Sequence, residues 1–135
     1  MRRFINIVEN AQEGVVSADD LVRMFPGIEN DLAHVGEWVH GEPTFRLKVE
    51  PMEMFRERAE YLLSTYSDFP KDKARTNKIV RELEAGAPQR PIFCEAEAFS
   101  DEDSFIMEGR HRIVAFYRLG YETVPVVYVG VQEEL

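Results

Sequence analysis

Cysteine is nearly missing from this chain: one residue, Cys94, in 135. A single thiol excludes an internal disulfide framework and cannot build a cysteine zinc site. Long apolar runs are missing too, and nothing approaches the roughly 20 consecutive apolar residues that span a bilayer. The opening Met1-Arg2-Arg3-Phe4-Ile5 is basic and then apolar, but Asn6, Glu9 and Asn10 interrupt it too early for a signal peptide. These absences lead to the expectation of a cytoplasmic protein with no membrane partner. Basic residues are in short supply, 16 against 25 acids, for a net charge of −9. An acidic surface repels polyanions at long range, which makes duplex DNA a poor principal ligand.

What is present is ordinary for one globular domain: 44% apolar and 30% charged residues in a length that buries a core without staples. The charge is unevenly spread. Met1 to Phe69 carries 13 acids against 7 bases, and Pro91 to Leu135 carries 9 against 3. Pro70 to Arg90 reverses the sign, with 3 acids against 6 bases. Lys71, Lys73, Arg75, Lys78 and Arg81 fall on one or two faces of a single helix there. Two readings stay open: a solvated helix face, or one wall of a site for a small anion.

Along the chain, Met1 to Glu9 reads as a short apolar helix or arm. Ser17 caps a helix to about Phe25, with Asp20 at the reciprocal capping position and Pro26-Gly27 as the stop. A second short helix is expected over Leu32 to Trp38, with Leu32, Val35 and Val39 as its apolar stripe. Gly41-Glu42-Pro43 forms a turn and the expected boundary between residues 1–43 and 44–135. Phe45, Leu47 and Val49 alternate with Arg46, Lys48 and Glu50, the pattern of a strand with one wet face. Pro51 opens a helix whose apolar positions run Met52, Phe55, Ala59, Leu62, Leu63 and Tyr66. Another spans about Asp72 to Ala85, with Ile79, Val80 and Leu83 inward and Gly86 as its end.

The most informative stretch is Phe105 to Val129. A short strand (Phe105, Ile106, Met107) enters Glu108-Gly109-Arg110-His111-Arg112, a helix begins at once and stops at Gly120, and Val124 to Val129 forms a second strand. A strand, a glycine turn and a helix N-terminus bearing two arginines make an anion site. Free backbone N–H groups and the positive end of the helix dipole would face the same spot as Arg110, His111 and Arg112.

The order of these residues resembles the ParB/sulfiredoxin superfamily. Its members share a strand, an acidic-Gly-x-[His/Arg]-Arg turn, a helix ending in Leu-Gly and a closing strand of Val-Pro-Val type. Here those parts are Glu108 to Arg112, Arg118-Leu119-Gly120 and Thr123-Val124-Pro125-Val126-Val127. Upstream, Thr44 to Glu50 matches the first strand, Asn77 to Gly86 the helix, and Pro91-Ile92-Phe93-Cys94 the Pro-Ile strand, so the likeness covers Thr44 to Val131. Residues 1–43 lie outside the likeness and read as a helical N-terminal extension preceding it. The likeness implies an α+β fold, a small mixed β-sheet packed with helices. It also implies a nucleotide- or phosphate-binding protein that hydrolyses or transfers a phosphoryl group. Gly109, Arg110, His111 and Arg112 would hold phosphates, with Glu108 and His111 as catalytic groups. The implied cofactor is Mg2+ with a nucleoside triphosphate, near Glu108.

The departures narrow this. Arg110 stands where a sulfiredoxin carries its cysteine, so sulfinic-acid reduction is not expected. No second phosphate motif of the Glu-Asn-x-Gln-Arg kind and no helix-turn-helix reader are found, which removes the partition-type DNA function. Members of the fold include nucleotidases, small-molecule kinases and nucleases, so the fold alone does not give an activity. Two other classes remain. One is a non-catalytic protein-interaction protein using the N-terminal arm; the other is a nuclease, disfavoured by the −9 charge. The opening Arg2 to Glu9 is similar to leaders on tailed-phage virion proteins, which implies a phage or prophage origin and a place in the host cytoplasm or the virion.

For each candidate a plainer reading stands beside the functional one. Arg112, taken as the second helical residue, either forks onto phosphate or pairs with Glu108 or Glu122. His111 either transfers a proton or caps the turn, and Arg110 is expected to be exposed. Glu108 is either the acid–base or magnesium-linked carboxylate, or an acid favoured by the helix dipole. His34 and His40 lack the i, i+4 spacing of a helical metal pair, and no metal-ligating set is expected. Ser100 to Ser104 reads either as a solvated acidic hairpin or as a magnesium-coordinating loop. Cys94 reads as a core residue, and Trp38, Phe116 and Tyr117 as core residues or as packing for the N-terminal helices.

Overall fold

The computed structural model describes residues 14–96 and 106–131. The expected N-terminal arm, the Ser100 to Ser104 loop and Phe105 lie outside the described residues. The elements run β1 (Gly14–Val16), α1 (Ala18–Met24), α2 (Glu29–Trp38) and β2 (Pro43–Pro51), then a 3-10 turn (Met52–Phe55) leading into α3 (Arg56–Ser64). They continue with α4 (Pro70–Glu84), β3 (Ile92–Glu95), β4 (Ile106–Glu108), α5 (Arg110–Leu119) and β5 (Thr123–Val131). Together they form a mixed α+β architecture. No helix among the described residues is long and apolar enough to cross a membrane.

Local sequence sets most of the boundaries. The Ser17 hydroxyl accepts from the Asp20 N–H while the Asp20 carboxylate accepts from the Ser17 N–H, the reciprocal box expected at the start of α1. Pro70 occupies the first position of α4, where its missing N–H has no intrahelical partner to lose. Gly120, in the left-handed conformation, ends α5, and the Tyr121 N–H closes back on the Phe116 carbonyl. The helix expected from Leu32 begins earlier, at Glu29, directly after Ile28.

The five strands lie in the order β1-β2-β5-β3-β4, with β5 in the middle. β2 runs antiparallel to β5 over its whole length, β3 runs parallel to β5, and the two edge strands pair antiparallel. Because strand side chains alternate between faces, the Val-rich β5 feeds two cores at once. Val124, Val126 and Tyr128 join Ile92 and Cys94 under α3, α4 and α5. Val127 and Val129 join Phe45, Leu47 and Phe93 under Leu21, Phe25, Ile28 and Val35 of the α1–α2 layer. Apolar residues of the segment before Pro43 thus cover one face of the sheet, and β1 extends its edge.

Two side chains, Glu50 and Trp38, differ from expectation. The outer face of β2 is wet at Arg46 and Lys48 but not at Glu50, which is buried and accepts from the Tyr128 hydroxyl at 2.5 Å. Burial and that carboxylate push the Tyr128 phenol up. Trp38, expected to pack inside, is 56% exposed at the end of α2. Phe116 is in the core as expected, among the α3 and α4 side chains, and Tyr117 packs against the same cluster while donating to Glu60 of α3. Cys94 is in the core as expected, where burial raises its thiol to about 12 and removes it from thiolate chemistry.

Candidate functional site

The turn between β4 and α5 depends on glycine. Gly109 caps α5 at φ 105°, a left-handed conformation that L side chains rarely adopt. A Cβ there would also lie 2.8 Å from Ile92 Cγ2 and 3.1 Å from its Cα, so the turn can press against β3 only without a side chain. Among the described residues, no side chain caps this end of α5. The amides of its first turn therefore keep their donor capacity, with the positive end of the helix dipole behind them.

The three residues after Gly109 point to different neighbours. Arg112 is the third helical residue, not the second. Its Nη2 donates to Asp31 Oδ2 at 2.7 Å and its Nη1 to the Pro91 carbonyl at 2.9 Å. Its ion-pair partner is thus Asp31 of α2, not Glu108 or Glu122, and both side chains of the pair are less than 15% exposed. Three other N–H donors of the five-donor guanidinium remain. His111 places Nε2 3.0 Å from Asp72 Oδ1 on the first turn of α4, and Arg110 reaches the same oxygen at 3.7 Å from an exposed position. The hydrogen bond from His111, helped by Arg110, holds the Asp72 carboxyl below its usual range against the opposing effect of burial. An ionised carboxylate only accepts, so His111 carries its proton on Nε2 in this pair.

Glu108, at the end of β4, is paired with His34 Nδ1 on α2. That hydrogen bond and the carboxylate charge raise the His34 pKa above its usual 6.5. Trp38 meets the His34 ring edge-on at 6.3 Å between centroids. Asp31 and His34, three apart on α2, therefore clasp the β4–α5 turn from its N-terminal side.

Between α4 and α5 lies a cleft of about 530 Å³. Gly109, His111 and Arg112 form part of its α5 wall, beside Glu108. Across from them stand Arg75 and Lys78 of α4, with Arg90 from the connection to β3. Ile79, Leu83, Pro88 and Phe116 supply its apolar lining, and Glu82 its other carboxylate. Of the basic stripe on α4, then, Arg75 and Lys78 face the cleft. Among the described residues, none of Arg75, Lys78 and Arg90 forms an ion pair. Asp31, Asp72 and Arg90 carry no site signal in the sequence, and His34 enters there only as a rejected metal ligand. Only the shared helical face of Asp31 and His34 could have drawn attention to them. No cluster of three His, Cys, Asp or Glu side chains suited to a metal occurs among the described residues. No family model, curated protein or solved structure matches this chain, so the chemistry of the cleft rests on its own residues.

Proposed function

We propose that this chain is a ParB/sulfiredoxin-like protein that binds a phosphate-bearing ligand of nucleotide size between α4 and α5. One observation carries the reading: Arg75, Lys78 and Arg90 line the same cleft as the uncapped start of α5. Cations from separate elements and free helix amides together favour an oxyanion more than either does alone. A volume of about 530 Å³ lies in the range of small-molecule sites. Phosphoryl transfer or hydrolysis there would use His111, oriented by Asp72, to move a proton, and Glu108, held by His34, as the carboxylate. The side chain of Arg112 would contribute its remaining donors, and Arg110 would sit at the mouth.

The test is thermal denaturation of the full chain with inorganic phosphate and with nucleotides. The melting temperature is expected to rise with ligand concentration, and the rise to shrink strongly when Arg75 and Lys78 are both changed to Gln. The second reading, a protein-interaction module, draws on the exposed side chains of Trp38 and Val15. Absence of any ligand-dependent rise favours it and sinks the phosphate reading.

A further inference from the structure

The cleft's charges can be sorted by whether the protein already answers them. Asp31 answers Arg112, Asp72 answers His111, and His34 answers Glu108. What remains on the lining is Arg75, Lys78 and Arg90 against Glu82, three cations and one carboxylate. That excess of two positive charges fits the dianion of a single phosphomonoester, whose charge near neutral pH is about −1.5 to −2. A triphosphate brings further negative charge that the three remaining cations do not match and that Glu82 repels. The rest of the lining is apolar: Leu83 and Phe116 are already buried, while Ile79 on α4 and Ala87 and Pro88 on the connection keep accessible surface. Bare phosphate leaves that surface uncovered, whereas a flat organic body attached to the phosphate buries against it.

We infer that the cleft selects a phosphomonoester with an apolar body, of the nucleoside monophosphate class, over nucleoside triphosphates and over inorganic phosphate. This rests on the phosphate reading above and narrows it. Arg75, Lys78 and Arg90 take the phosphate, the first turn of α5 supplies backbone donors, and the accessible apolar lining at Ile79, Ala87 and Pro88 takes the base or an equivalent ring. Glu82 acts as the specificity element, because it sets an upper limit on the ligand's negative charge.

Isothermal titration of the full chain with adenosine and cytidine mono- and triphosphates, and with inorganic phosphate, separates the possibilities. At least one monophosphate is expected to bind about tenfold or more tightly than its triphosphate in metal-free buffer, and about tenfold or more tightly than inorganic phosphate. Lys78→Gln with Arg90→Gln is expected to weaken the monophosphate about tenfold or more without moving the melting temperature of the free protein. Glu82→Gln is expected to narrow the gap to the triphosphate. A triphosphate that binds as tightly as its monophosphate, with or without magnesium, overturns the inference and leaves the phosphate reading standing. Failure of every phosphate compound to bind overturns both.

Discussion

On the α5 wall of the cleft, Arg112 faces Asp31 and His111 faces Asp72; on the opposite wall, Arg75, Lys78 and Arg90 have no such partner among the described residues. The difference follows from burial. Arg112 lies between α2 and the segment leading into β3, where a lone guanidinium would be costly, so a carboxylate and a carbonyl meet it. Arg75, Lys78 and Arg90 are exposed residues, and water solvates them until something better arrives. Arg112, the side chain that most looks like a phosphate clamp in the sequence, thus also holds the N-terminal layer to the sheet. The cations left for a ligand belong largely to the other wall.

The largest effect expected from breaking this contrast is on stability. Asp31→Ala strands the Arg112 guanidinium in a mostly buried place. It is expected to cost about 3 kcal/mol, the low end for removing one partner of a buried pair, as read by chemical denaturation. Lys78→Gln, on the unpaired wall, is expected to stay within about 0.5 kcal/mol of the parent. Equal losses at the two positions would erase the distinction between the walls.

A smaller effect sharpens the comparison through pH. His34 has a folded pKa above its usual 6.5, so its pairing with Glu108 stabilises the fold fully below 6.5 and ceases to do so as pH rises through the raised value. His34→Gln is therefore expected to lower stability at pH 6 and to match the parent at pH 9. The Asp72 carboxyl has the opposite sign: its contribution is present above 3.8 and is lost as pH falls through the depressed value. A His34→Gln deficit that is the same at both pH values would mean that packing, not charge, links α2 to β4.

The local parts of this architecture are legible in the residues. Ser17 and Asp20 announce the start of α1, Gly109 and Gly120 bracket α5, and the alternation in Phe45 to Val49 marks β2, because each signal acts within a few residues of itself. The partners of the turn are not legible in that way. Asp31 is 81 residues from Arg112, His34 is 74 from Glu108, and Asp72 is 39 from His111. Periodicity indicates which helix face turns inward but not which turn of the helix comes to rest against which strand. Glu50 is a similar case: alternation assigns it to the wet face, and only the placement of Tyr128 across the pair of strands makes burying it tolerable. Trp38 escaped because a large apolar residue at a helix end counts as core in any pattern, while its actual position lies beyond the edge of the buried stripe.

The central claim, that the cleft between α4 and α5 is a phosphate site, is tested most directly by following backbone amide resonances of the labelled chain during titration with a nucleoside monophosphate. The amides of Arg110, His111 and Arg112 should shift furthest and saturate together with those of Lys78 and Arg90. Shifts confined to other surfaces, or none at saturating ligand, would contradict the account.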